Sequence, residues 1–275
     1  GCPASQDADV GPGDDGSYWT WTLDQVREAL DGDDRLLRVA TLRYGLDDPT
    51  AALPLDPGRH VLYRGLEPEE IAPRIGAPPE EAARLVEEVR RRLKAARDRR
   101  PRPFVDETVY AGATGLVASG HLAAARYLGA GDAAEAALRA LDRLWEQGFD
   151  ATDGLAHRPG DPSAGGYLED QAYVARALLD AFELTQDPRH LARARALLDL
   201  LLDRFHDPDS GACLDRPRDE PAPASLLADA HRPIVDAPAP SPNAVAAESL
   251  LRLAALLQEH RYREHGEQVL RAFAG

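Results

Sequence analysis

Residues 167–205, YLEDQAYVARALLDAFELTQDPRHLARARALLDLLLDRF, hold two Ala/Leu-rich runs at helical spacing, parted by Gln186-Asp187-Pro188. In the first run Leu168, Ala172, Ala175, Leu179 and Phe182 fall on one face of a 3.6-residue period. The spacing predicts helices over 167–186 and 188–204, folded back on each other through the Asp-Pro turn. The same rhythm continues outward: helices are expected over 110–128 with 132–147, and over 243–258 with 261–273. Placing Leu141, Trp145 and Phe149 over Leu197, Leu201 and Phe205 gives an offset of 56 residues, which also sets Asp153 over Asp209 in the turns that follow. The unit of construction is a repeated helical hairpin. Such hairpins stack as an open solenoid or close into a ring, and a ring of six needs more residues than the 275 present. The chain therefore reads as a fragment. An incomplete ring leaves two apolar flanks open to aggregation or dimerisation.

Upstream of Pro103 the pattern is less regular. Gly1–Gly16 is rich in Gly, Pro and Asp, and Ser17-Tyr18-Trp19-Thr20-Trp21 alternates as a strand would, which predicts a short β-hairpin arm with Trp19 and Trp21 on one side and Tyr18 on the other. Thr22 and Gln25 match a capping box for a helix running to about Leu30. A further short helix is expected over Asp34–Tyr44, then loop or edge strand over 47–65, where Pro49, Pro54 and Pro57 interrupt regular structure. Pro79, Glu80 and Glu81 open a helix ending near Arg100, whose arginine-rich tail suits the negative end of the helix dipole. The layout is one incomplete all-α domain over 1–275, with an irregular part over 1–103 and three hairpins over 104–275.

The formal charge is -15 and Lys94 is the only lysine, so a phosphate backbone would be repelled and nucleic acid is an unsuitable partner. No apolar run reaches the roughly 18 residues that span a bilayer, and no signal-like start is present, so no membrane partner is expected. Cys2 and Cys213 form neither a C-x-x-C motif nor a zinc-like set with histidines, which predicts a reducing, cytoplasmic setting with no cofactor and no metal.

Four motifs occur in order: Ser5-Gln6-Asp7-Ala8-Asp9, Gly16-Ser17-Tyr18-Trp19-Thr20-Trp21-Thr22, Arg102-Pro103-Phe104-Val105-Asp106 and Gly166-Tyr167-Leu168-Glu169-Asp170. A fifth comprises Asp236, Pro240, Ser241 and Asn243 before the helix carrying Leu250, Leu251 and Leu253. Together they resemble YyaL-like proteins, the family of spermatogenesis-associated thioredoxin-domain-containing proteins. The resemblance implies an incomplete (α/α)6 toroid like those of N-acylglucosamine and cellobiose epimerases and six-hairpin glycosidases, and a thioredoxin-like domain upstream in full-length members, absent here. The family usually carries Lys, Trp and Asn where this chain has Thr108, Ala113 and Thr114, and glycine where it has Pro242.

In a toroid the motif loops gather at one mouth. That predicts a cleft for a small carbohydrate, with Asp106, Glu169 and Asp236 as acid/base groups, and Asp7, Asp9, Trp19, Tyr167, Asp170, Arg232, Ser241 and Asn243 as substrate-binding groups. Structural roles compete at several positions: Asp7 and Asp9 as turn formers, Asp106 as a helix cap, Asp236 bonded to its own loop, and Glu169 and Asp170 at a positive helix end. On a regular helix Asp170 points about 100° from Glu169, so the two are not expected to act as a dyad. Among the histidines suited to sugar 2-epimerisation, His231 is the best placed, though a surface-loop role accounts for it better. Cys213 and Ser241 lack the setting of a nucleophile. Two functions stay open: a sugar isomerase, epimerase or glycosidase, and a non-catalytic binding or scaffold module serving a thioredoxin-like domain.

Overall fold

The computed structural model describes residues 3–54, 56–161, 163, 165–220, 231–236 and 238–274. Cys2 lies outside them. The chain forms two compact units, Ser5–Asp106 and Glu107–Gly275 with Gly1–Ala4.

The first unit contains α1 (Leu23–Ala29), α2 (Asp34–Tyr44), α3 (Pro68–Ile75) and α4 (Pro79–Arg97) around a core that includes Trp21, Val26, Leu30, Val39, Ile71 and Val89. The capping box forms as expected: the Gln25 amide donates to Thr22 Oγ1 and the Thr22 amide to Gln25 Oε1. Helix α3 was not expected, because Pro73 lies inside it and only two apolar residues, Ile71 and Ala72, are buried. Of the predicted arm at Ser17–Trp21 only Trp21 enters a strand. The amides of Trp19 and Thr20 both donate to the Gly16 carbonyl, so the chain turns there and the alternation is lost. Tyr18 and Trp21 are consequently buried while Trp19 is 40% exposed. The strands pair at long range: β1 (Ser5–Gln6) with β4 (Val105–Asp106), and β2 (Trp21–Thr22) with β3 (Arg59–His60). The basic tail of α4 does more than complement a dipole. Arg100 donates to the carbonyls of Ser17, Tyr18 and Thr20 and its guanidinium lies 3.8 Å from the Trp21 ring centre, so it fastens the turn.

In the second unit the hairpins match the predicted spans to within a few residues: α5 (Ala111–Leu128) with α6 (Gly131–Gly148), α7 (Leu168–Thr185) with α8 (Pro188–Arg204), and α9 (Pro242–Leu257) with α10 (His260–Arg271). Helices α5, α7 and α9 also pack side by side, with α7 in the middle and buried nearly all round. Small residues allow the close approach; a Cβ at Gly115 would come within 2.9 Å of the Tyr173 backbone. The repeat is visible in detail. Phe149 and Phe205 both cap the C-termini of their helices, and Gly129, Gln186 and Gln258 each end an inner helix in the left-handed conformation. After α6 a two-residue ladder pairs β5 (Phe149–Asp150) with β6 (Gly154–Leu155), and after α8 a bridge joins His206 to Cys213. No described helix is long and apolar enough to cross a membrane.

Candidate functional site

The N-termini of α5, α7 and α9 lie next to one another. The Gly112 amide, in the first turn of α5, donates to Asp170 Oδ1 at 2.8 Å, and the Tyr173 hydroxyl donates to the carbonyl of Pro240 just before α9. Two buried amides index the preceding loops to this end. Gln171 accepts from the Leu155 amide at 2.9 Å and donates to the Leu155 carbonyl at 2.8 Å. Asn243 does the same to Cys213, at 2.8 and 2.9 Å, and also donates to the Pro233 carbonyl. Each side chain thus imitates a neighbouring strand for one residue, and satisfies backbone groups that burial would otherwise leave unpaired. Gly166 sits so close to the first clamp that any Cβ would collide with the Leu155 carbonyl.

Chemistry concentrates where the first clamp meets the start of α7. Asp170 is 0% exposed, and its carboxylate accepts from the amides of Gly112 and Tyr167 and from His157 Nδ1, the last at 2.9 Å. His157 follows β6, is itself held because the Ala111 amide donates to its carbonyl, and packs against Tyr110 and Tyr167 with ring centres 4.7 and 4.9 Å away. The bond to Asp170 raises the His157 pKa above its ordinary value of 6.5, against an opposing contribution from burial. Glu169 is half-buried and accepts no hydrogen bond from the described residues. Burial, then the Asp170 charge, raises its pKa above 4.5. Beneath it, burial and the Glu169 charge push the Tyr173 hydroxyl up to about 12. A cleft of about 290 Å³ opens beside Glu169, bounded by Tyr167, Asp215, Pro233 and Pro242. One ligand atom each from His157, Glu169 and Asp170 lie within 4.8 Å of one another, the spacing of a metal-ligand set, although three N–H donors already occupy Asp170.

Glu169 and Tyr167 are therefore found at the cleft. Asp170 is next to them but inaccessible, so it positions His157 and caps α7 rather than touching a ligand. Ser241 and Asn243 are equally buried: the Ser241 hydroxyl caps α9 by accepting from the Ala244 amide, and Asn243 serves the second clamp. Asp236 is exposed and accepts from the Ser241 amide at 2.7 Å, the loop-binding alternative. Arg232 pairs with Asp207 at 2.7 Å. Pro242 costs α9 no hydrogen bond, because the first turn of a helix has spare donors. His231 is an exposed loop residue whose backbone pairs with Asp215. Cys213 is buried, which pushes its thiol up to about 12 and fits its lack of a nucleophile's setting. Asp7, Asp9, Trp19 and Asp106 belong to the first unit. There Asp9 accepts from the Gly16 amide as a turn former, and Asp106 lies in β4 rather than capping α5, whose cap position is Tyr110. His157 was missed. Its signal was the repeat itself: the loop after each outer helix returns to the start of the next inner one.

No protein-family model matches the sequence. Human spermatogenesis-associated protein 20 is 30% identical over 265 residues, covering 87% of this chain and 33% of that protein, and the mouse protein is 29% identical over 91% of this chain and 35% of its own length. The spermatogenesis-associated protein 20 sequences are homologues of this chain. The chain spans about a third of the length of these curated relatives. Among solved structures, cellobiose 2-epimerase from Bacillus thermoamylovorans superposes with TM-score 0.50 at 18% identity over 60% of this chain and 44% of its own. An inactive α-1,6-mannanase variant from Salegentibacter, in complex with α-1,6-mannotriose, gives 0.50 at 14% identity over 92% of this chain and 71% of its own. The fold is that of the α/α toroids, built from helical hairpins.

Proposed function

We propose that the mouth of α5, α7 and α9 binds a sugar and moves a proton at the carbon beside its carbonyl, as an isomerase or 2-epimerase does. The observation that carries this is Glu169: a half-buried carboxyl with no partner among the described residues, opening to the cleft within 4.8 Å of a histidine nitrogen. Between the raised pKa of Glu169 and that of His157, the pair rests as carboxylate and imidazolium. In that form Glu169 takes the proton from carbon and His157 gives one to the carbonyl oxygen, forming an enediol; return of the proton to either carbon or face yields the product. Asp170 holds the imidazole and its charge, and Tyr167 offers an apolar face. A two-carboxylate glycosidase is less well supported, since Asp170 is sealed from solvent.

The alternative is a binding module serving a thioredoxin-like segment of a longer protein, favoured by Ala113 and Thr114: Ala113 offers no polar group, and Thr114 is buried and bonds the Tyr110 carbonyl. Incubating full-length protein with mannose, glucose and cellobiose in D2O separates the two. Deuterium at the second carbon is expected; release of reducing ends would mean hydrolysis, and silence across the panel would sink catalysis and favour the module.

A further inference from the structure

Helix α10 meets the loop after α8 through two histidines. His206, the first residue past the Phe205 cap of α8, is 7% exposed and bridges Cys213 through the backbone. The Leu214 amide donates to the Phe205 carbonyl and the Asp207 amide to the Ala212 carbonyl, so residues 205–214 close as a small hairpin. Its turn lies directly on α10: a Cβ at Gly211 would come within 3.3 Å of the Gln268 carbonyl oxygen. The His206 and His265 rings meet edge to face across the same junction, with centres 5.1 Å apart and planes at 77°.

Both rings are set for the neutral form. His265 Nδ1 lies 2.7 Å from the Arg261 carbonyl oxygen, and a carbonyl only accepts, so Nδ1 holds the proton of the neutral ring. His206 Nε2 is fully buried with no hydrogen-bond partner. A neutral imidazole can leave that nitrogen without a hydrogen. A protonated one would bury an N–H that has no acceptor, and would set its charge against the second ring. The other charged groups facing His206 do not repair this. Arg218 adds like charge, and Asp207, which opposes it, is already bonded to Arg232 at 2.7 Å and to the Ser210 hydroxyl at 2.6 Å. Burial first, then the His265 charge, hold the His206 pKa below 6.5, against a hydrogen bond with the Gly211 backbone. Because the folded value is the lower one, the stability of the contact is complete above pH 6.5 and is lost as pH falls through the folded value.

We propose that the His206–His265 contact is a latch that keeps α10 on the hairpin in neutral solution and releases it in mild acid. The strand it lets go carries Cys213, held by the Asn243 clamp at the start of α9, and leads to Asp215 at the edge of the cleft. The inference is independent of the chemistry at the mouth. Hydrogen exchange on the full chain tests it, read as protection corrected for the intrinsic rate at about pH 7.5 and about pH 5.5. On acidification the amides of α10 and of residues 206–214 should lose about tenfold in protection relative to residues 174–181 in the middle of α7. His206→Phe keeps a ring and cannot take a proton, so it should remove the difference. His265→Gln deletes the facing charge at a less buried position, should reduce the difference to about threefold, and keeps the test valid if the phenylalanine variant folds poorly. Equal loss in all three segments means general acid unfolding and overturns the latch. A difference that survives undiminished in His265→Gln overturns it too, as does a His206 ring resonance that titrates at or above pH 6.5.

Discussion

The starts of α7 and α9 are built alike and equipped differently. Each helix begins beside a loop that a buried amide, Gln171 or Asn243, ties to it through two backbone bonds. At α9 the remaining polar groups are absorbed by the fold: Ser241 caps the helix, Asp236 braces Ser241, and Asn243 reaches one further carbonyl. At α7 the equivalent positions hold a surplus. Asp170 is consumed, but in a way that orients and charges His157, and Glu169 has no hydrogen-bond partner among the described residues. The lesson is that the hairpin repeat supplies the platform, while function shows as charge the platform does not need.

Breaking that contrast at its strongest point means replacing Glu169. Glu169→Gln should cut turnover by ~10²–10⁴, and because it deletes a desolvated charge beside Asp170, it should raise Tm at neutral pH and not at pH 4, where the wild-type group is protonated. A lowered Tm would mean Glu169 is structural after all. On the α9 side Asn243→Ala should do the reverse, costing ~2–4 kcal/mol of unfolding free energy by denaturant titration, through buried groups left unpaired. Loss of activity without loss of stability there would blur the distinction.

A finer test is the pH profile. Activity should rise as pH passes the elevated pKa of Glu169 and fall as it passes the elevated pKa of His157. Asp170→Asn removes the chief cause of the histidine's shift, so the falling limb should move to lower pH. The linked stability has the same sign: the His157–Asp170 bond stabilises fully below pH 6.5 and its contribution fades as pH rises through the folded pKa, a dependence the variant should lack. The smallest effect belongs to the helix ends. Gln258 takes the left-handed conformation that Gly129 takes in the first hairpin, so Gln258→Gly should be neutral or stabilising by ~0.5 kcal/mol in thermal melts.

Much of the second unit was legible in the sequence, because α5 to α10 are long, strongly periodic and closed by strong turn signals at Gly129 and Pro188. Helix α3 was hidden by Pro73 and by its two-turn length, and the arm at Ser17–Trp21 was misread because a local turn on the Gly16 carbonyl overrode side-chain alternation. At the site, Glu169 and Tyr167 were visible from their motif. His157 was not, since nothing local in Gly154-Leu155-Ala156-His157 announces that Gln171 will draw this loop onto α7. The clustering of Asp236, Ser241 and Asn243 was evident, but only coordinates reveal that their hydrogen bonds are spent within the protein.

The amide clamps also separate anchoring from distance. Leu155 and Gln171 are 16 residues apart, Cys213 and Asn243 are 30, yet both pairs close through the same two bonds. A loop tied down at a single residue is free to lengthen beyond the knot. Evolution can therefore lengthen or trim the rim of this vessel, altering what enters, while every wall keeps its register.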